Sequence, residues 1–275
     1  MSISGKLGKF VIATAVLGVV AFVCVSVAQE KKRGKELSIG ERFHYETSLT
    51  WRGVLGDMFR DRPKKPPQYK TYPGSKKVQL PKGEYRGMVI EDAITERRSV
   101  RNYSKEAISM AQLSQLLFAA QGVTGKMYGH PLRSAPSAGA LYPFEIYLVV
   151  NNVEDLAQGI YHYSVLDHGL ELVKAGDFRD QITDAGLKQE MLGTGGVTFV
   201  LSAIFDRIRH KYGQRGMRYV YMEAGHISQN IYLQAVSLGL GSVSVGAFLD
   251  ERVNRLIDVD GRKEAAVYLH AVGRL

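Results

Sequence analysis

Two hydrophobic rhythms alternate along most of this chain. In residues 109–120, Leu113, Leu116, Leu117 and Ala120 recur at spacings of three and four, which predicts a helix with one apolar face. Ser109 and Gln112 form a capping box at its start, and Gly122 stops it. The same rhythm runs longest over 217–238, through Val220, Ala224, Ile227, Ile231, Ala235 and Leu238, and ends at Gly239. Shorter helices are expected at 91–97 and 251–258. Compact or alternating apolar runs predict strands at 144–150, 159–163, 169–173, 197–205, 242–248 and 265–272. No repeat or low-complexity tract interrupts this order, so the expected class is α+β with a mainly antiparallel central sheet flanked by helices.

Neither rhythm governs the first third. After Lys6 and Lys9, residues 10–28 carry no charge, and then Glu30, Lys31, Lys32 and Arg33 follow. Such a run is a targeting segment: Ser26, Val27 and Ala28 suit a signal peptidase, while its length approaches the ~20 residues that span a bilayer. A cleaved signal peptide and an uncleaved anchor both fit. Lys31, Lys32, Arg33, Lys35 and Arg42 outnumber Lys6 and Lys9 near its ends, a bias opposed to export, and the side of the membrane stays open. Residues 29–86 hold Pro63, Pro66, Pro67, Pro73 and Pro81 among many Lys and Arg, which reads as an extended arm. Trp51 and the arm's tyrosines predict that part of it packs on the body. The expected organisation is therefore 1–28 as signal peptide or anchor, 29–86 as basic arm and 87–275 as the folded domain.

Charge sharpens this division. The formal net charge is +9 over 275 residues, yet residues 87–275 hold 19 Lys plus Arg against 20 Asp plus Glu. The excess lies in the arm, with 15 against 7, beside the apolar run. There it reads as a topology or lipid signal and not as a nucleic-acid site.

Several chemistries are disfavoured by what the chain lacks. Cys24, the single cysteine, lies inside the apolar run, which removes disulfides, thiolate catalysis and cysteine metal sites from the domain. The seven histidines show no HExxH-like pair, so no metal is expected. No GxxxxGK[ST] occurs, and the GTGG at 193–196 precedes a strand where a dinucleotide loop would follow one; it is expected to be a flexible loop.

Two segments carry candidate chemistry. ERRSVRNY places Arg97, Arg98 and Arg101 close to the hydroxyl of Ser99, a composition suited to a phosphate, whose oxygens planar guanidinium groups bind in pairs. RSAPSAGALYPFEIYLVV is a turn running into a buried strand; Gly139 and its small neighbours let a flat ligand approach the backbone.

With EAGHISQNIYLQAVSLGLG further on, these motifs resemble the nitroreductase-like FMN oxidoreductases, specifically the branch of SagB-type azoline dehydrogenases, over most of the chain from about residue 43. The resemblance implies a nitroreductase-like fold with FMN at a homodimer interface. It implies that Arg97, Arg98, Ser99 and Arg101 form the first flavin-binding segment, and that Pro136, Ser137 and Leu141 reach the cofactor from the partner subunit. Val245, Gly246 and Ala247 match the place where a backbone N–H approaches the redox-active edge of the flavin, and Arg274 resembles in position a C-terminal phosphate contact. Lys211 and Tyr212 resemble a substrate-side pair that removes a proton as hydride leaves to the flavin. Such a base needs a lowered Lys pKa, obtainable by burial or beside Arg215 and Arg218. Tyr142 and Tyr161 are further candidates for the substrate face, and His226 for a structural hydrogen bond. Three functions follow: a dehydrogenase acting on a modified peptide or small molecule, an NAD(P)H-dependent quinone or nitro reductase, and a non-catalytic membrane-tethered flavin-binding module.

Overall fold

The computed structural model describes residues 37–51, 56, 60–83 and 87–275. The apolar run 10–28 and the charges at 31–33 lie outside them. Among the described residues, no helix is long and apolar enough to cross a membrane. The chain divides into two compact units, 1–48 and 49–275. The first contains helix α1 (Ile39–Glu46), started by a capping box between Ser38 and Glu41.

The second unit is built on a seven-stranded sheet in the order β1-β6-β5-β4-β7-β9-β8. Its strands are β1 (Lys77–Gln79), β4 (Phe144–Val150), β5 (Gly159–Ser164), β6 (Gly169–Ala175), β7 (Val197–Ile204), β8 (Leu240–Val245) and β9 (Glu264–Arg274). Every pairing in it is antiparallel. A separate hairpin, β2 (Val123–Met127) with β3 (His130–Arg133), turns through Tyr128 and Gly129 at positive φ. The helices are α2 (Ile90–Glu96), α3 (Met110–Gln121), α4 (Arg179–Ala185), α5 (Met191–Thr194), α6 (Asp206–Tyr212), α7 (Gly216–Ser237) and α8 (Asp250–Leu256).

Strand β4 shows why the sheet is a middle layer. All seven of its residues are buried: Phe144, Ile146, Leu148 and Val150 join the core under α3 and α7, while Tyr147 and Val149 join a second core with Ile182 of α4 and Val253 of α8. Both faces being covered, the strand reads as one apolar run instead of an alternation. The capping box of Ser109 and Gln112 and the stop at Gly122 form as expected. Along α7, Val220, Ala224, Ile227, Ile231 and Ala235 face the core, and Gly239 follows at φ +67°.

Some expectations change. The strand expected over 242–248 ends at Val245, so Gly246 to Phe248 lie in the connection to α8. The GTGG run is a packed turn: α5 ends in it, and a Cβ at Gly195 or Gly196 would lie 2.9 Å from the Val272 carbonyl or 3.1 Å from that of Asn152. Trp51 is exposed; the arm packs through other residues. It supplies edge strand β1, and its Lys70 and Tyr72 cover a buried ladder across three strands, in which His162 lies 2.9 Å from Glu145 and 3.0 Å from Glu171. The backbone N–H groups of Lys70 and Tyr72 donate to those two carboxylates, and the Lys70 ammonium reaches Glu264 at 2.7 Å.

Candidate active site

The arginine segment is placed by the end of α2. Arg97 leaves helical geometry at ψ 122°, and the chain then runs along the free side of β8, where Val100 N–H donates to Ser242 at 2.9 Å. The Arg97 guanidinium stacks 5.1 Å over the Tyr232 ring of α7, and the Ser99 hydroxyl lies 3.1 Å from the Tyr232 hydroxyl. That oxygen also accepts from the Ser244 N–H at 2.8 Å. Burial alone would raise the Tyr232 pKa; hydrogen bonds from Ser244 and Ser99, with the charge of Arg97, outweigh it and lower the value. Arg98 is exposed and turns back to donate to the carbonyls of Thr95 and Arg97, while Arg101 is exposed. No carboxylate among the described residues pairs with any of the three. They form a cationic surface with capacity for an anion. Arg274 is engaged elsewhere, 3.2 Å from Glu106.

Val245 is buried, whereas Gly246 and Ala247 are exposed. A Cβ on Gly246 would meet only the Tyr268 ring, at 3.6 Å, so the chain itself leaves space there. The residues present thus fit a flat phosphorylated ligand: Arg97 and Ser99 gather on Tyr232 beside Ser244, and open backbone follows two residues on at Gly246. Behind them His270 is fully buried, and burial pushes its imidazole down to about 3; it holds Ser228 at 2.8 Å.

The second constellation forms around the turn. Gly139 (φ +62°), Ala140 (φ +52°) and Tyr142 (φ +47°) all adopt left-handed backbone, a strain that persists only where the surroundings over-determine it. They do: Ser137 Oγ accepts from Tyr142 N–H at 2.9 Å, the Tyr142 hydroxyl accepts from Arg133 N–H, and Arg207 donates to the Tyr142 carbonyl. Lys211 and Tyr212, at the end of α6, converge on this turn. A Cβ on Gly139 would lie 2.8 Å from the Tyr212 hydroxyl and 2.9 Å from the Lys211 ammonium, so a side chain there would push these two flexible tips aside, and φ +62° favours glycine. Pro136 is exposed and Leu141 buried. Lys211 is exposed, so burial does not supply the environment expected of a base. Tyr142 and Tyr161 are core residues, the latter donating to the Ala157 carbonyl, and His226 lies on the exposed face of α7.

One residue escaped the sequence reading. Glu223 is 2% exposed; Ser137 and Gln121 lie near its carboxylate, but neither reaches it with good hydrogen-bond geometry. Burial pushes it up to about 8, against the opposing pull of Ser137, Arg133 and Gln121. The signal was present: an acid at position 223 interrupts the apolar stripe of Val220, Ala224 and Ile227.

The two constellations lie apart in one chain. Glu223, beside Ser137, and Tyr232, beside Ser99, are nine residues apart on α7, about 13 Å at ~1.5 Å per residue. A cleft of about 900 Å³ is lined by Tyr103, Glu106, Asn152, Arg179 and the GTGG run, and contains none of the expected site residues.

Comparison with known proteins shows the family. The nitroreductase family profile matches residues 94–274. A Methanocaldococcus jannaschii protein provisionally named a nitroreductase is 39% identical over 72% of this chain and 96% of its own length. The Escherichia coli microcin B17-processing protein McbC is 32% identical over 53% of this chain, and the match spans 55% of McbC, about half its length. A crystal structure from Anabaena variabilis, also provisionally a nitroreductase, superposes with TM-score 0.70 at 26% identity over 86% of this chain and 46% of that one.

Proposed function

Because the chain belongs to the nitroreductase family, we propose that it is an FMN-dependent dehydrogenase of the SagB type, working as a homodimer on an azoline ring in a modified peptide. The observation that carries this reading is the convergence of Lys211 and Tyr212 on Gly139. Bound flavin supplies a hydride acceptor that no side chain can replace. Arg97, Ser99 and Arg101 hold its phosphate, and Gly246 leaves room beside its ring. When such a heterocycle aromatises, one carbon loses hydride and its neighbour loses a proton; Lys211 in its neutral amine form would accept that proton, with Tyr212 orienting the ring.

A second copy completes the site, since the turn and the arginines lie apart within one chain. Exposed Val89, Ile90 and Ile94 at α2 and Tyr221 and Met222 on α7 supply apolar surface for that contact. McbC, a peptide-processing protein by name, supports the peptide substrate. The name of the 39%-identical relative favours a second reading, a reductase of nitro compounds or quinones using NAD(P)H.

The test is flavin reduction followed by stopped flow in purified protein with each donor class. The dehydrogenase reading expects azoline peptide to reduce the flavin, and expects Lys211→Ala and Tyr212→Phe to slow this by roughly 10²-fold or more while FMN stays bound. Reduction by NAD(P)H alone, insensitive to both substitutions, would establish the reductase.

A further inference from the structure

The arm does more than cover the sheet. Helix α6 carries Lys211 and Tyr212 at one end and Arg207 in its first turn, and the arm holds it at both. Arg207 is 1% exposed. Its guanidinium pairs with Glu145 at 2.6 Å, donates to the Pro67 carbonyl of the arm at 2.7 Å and donates to the Tyr142 carbonyl of the glycine turn at 3.3 Å. At the other end the Arg62 guanidinium donates to the carbonyls of Lys211 and His210, the latter at 3.4 Å. These are among the carbonyls that a helix leaves without an internal partner, and a cation there also complements the helix dipole. Just past Pro67, Arg133 lies over the rings of both Tyr69 and Tyr142 and reaches the Gln68 carbonyl at 3.5 Å.

Helix α6 has only seven residues, too few to be stable by itself, and Gly213 breaks it from α7 at φ +54°. Its position is therefore set by what grips it. We propose that residues 62–72 of the arm are a positioning element for the Lys211–Tyr212 pair, with Arg62 as the residue that fixes the pair's end of the helix. The inference rests on the functional reading that this pair acts beside Gly139. It makes the basic arm part of the reaction machinery and not only a tether, because a shift of α6 by a fraction of an ångström misplaces both side chains relative to the turn.

The experiment uses the full chain with Arg62→Ala and Arg62→Lys. Arg62 is exposed, so its loss opens no core. Amide hydrogen exchange in residues 209–213 of the flavin-free protein is expected to quicken roughly tenfold in Arg62→Ala with the rest unchanged, and to return most of the way in Arg62→Lys. In the flavin-loaded protein, kcat for flavin reduction by azoline peptide is expected to fall at least about fivefold with KM unmoved, and again to recover in Arg62→Lys. Unchanged exchange, or faster exchange with unchanged kcat, overturns the proposal. If Lys211→Ala itself leaves kcat unaltered, the reading of the pair is what fails, and the exchange measurement alone then judges whether the arm positions the helix.

Discussion

Replacing Glu223 by Gln tests the electrostatics of the turn most directly. The carboxyl is almost wholly buried without a well-formed hydrogen bond, and its value of about 8 stands against 4.5 for an ordinary glutamate. An unfolded chain releases this proton above about 4.5 while the folded one keeps it up to about 8, so the folded state binds more protons throughout that window. Stability attributable to this residue is therefore complete below about 4.5 and is lost as pH rises towards 8. At about 1.4 kcal/mol for each tenfold difference in acidity, the full gap is worth roughly 5 kcal/mol. Glutamine has nearly the same shape and never ionises. Denaturant unfolding of parent and variant from pH 4.5 to 9, at equal flavin occupancy, should show little difference at the acid end. The variant should then gain by about 1.4 kcal/mol per pH unit until the curve flattens near 8. A difference that stays flat across this range would refute the reasoning, since it would mean that the folded carboxyl ionises like an ordinary one.

Three further outcomes are expected. Arg97→Ala, which removes the guanidinium beside Ser99 and Tyr232, should weaken FMN binding by roughly 10- to 150-fold in a fluorescence titration; Arg98→Ala should cost less, because that side chain is turned to the Thr95 and Arg97 carbonyls. Glu145 is held below the usual carboxylate range: burial opposes this, but His162, Arg207 and Arg133 outweigh it. Its contribution is present above about 4.5 and lost as pH falls, so Glu145→Gln should destabilise the protein at pH 7 by roughly 3–5 kcal/mol, with the gap narrowing on acidification below 4.5 in chemical denaturation. The full-length chain should sediment with membranes and require detergent for release, because the uncharged run 10–28 is close to the ~20 residues that span a bilayer; an intact mass beginning at Gln29 would show a cleaved signal peptide instead.

The sequence by itself determined the elements that are periodic and capped. The helices Met110–Gln121 and Gly216–Ser237 and the strand Phe144–Val150 follow from residue spacing because burying one helix face, or both faces of a strand, writes a local period into the chain. The arginines suited to a phosphate were legible as residue types, the motif order pointed to the family, and the Lys211–Tyr212 pair was singled out only by that resemblance. Tertiary structure alone decided what depends on distant partners. Strand β1 has three residues and forms only because β6 offers it an edge, and α6 is held by an arm some 140 residues away in sequence. Trp51 was expected to pack and is exposed, because local hydrophobicity does not say which arm residues meet the sheet; Tyr69 and Tyr72 do, through Arg133 and the ladder of Glu145, His162 and Glu171. The burial of Glu223 likewise arises from what α7 faces across the core. Spacing along a chain encodes which face is apolar, whereas the pairing of charges and the strain at Gly139, Ala140 and Tyr142 depend on groups brought together only by folding.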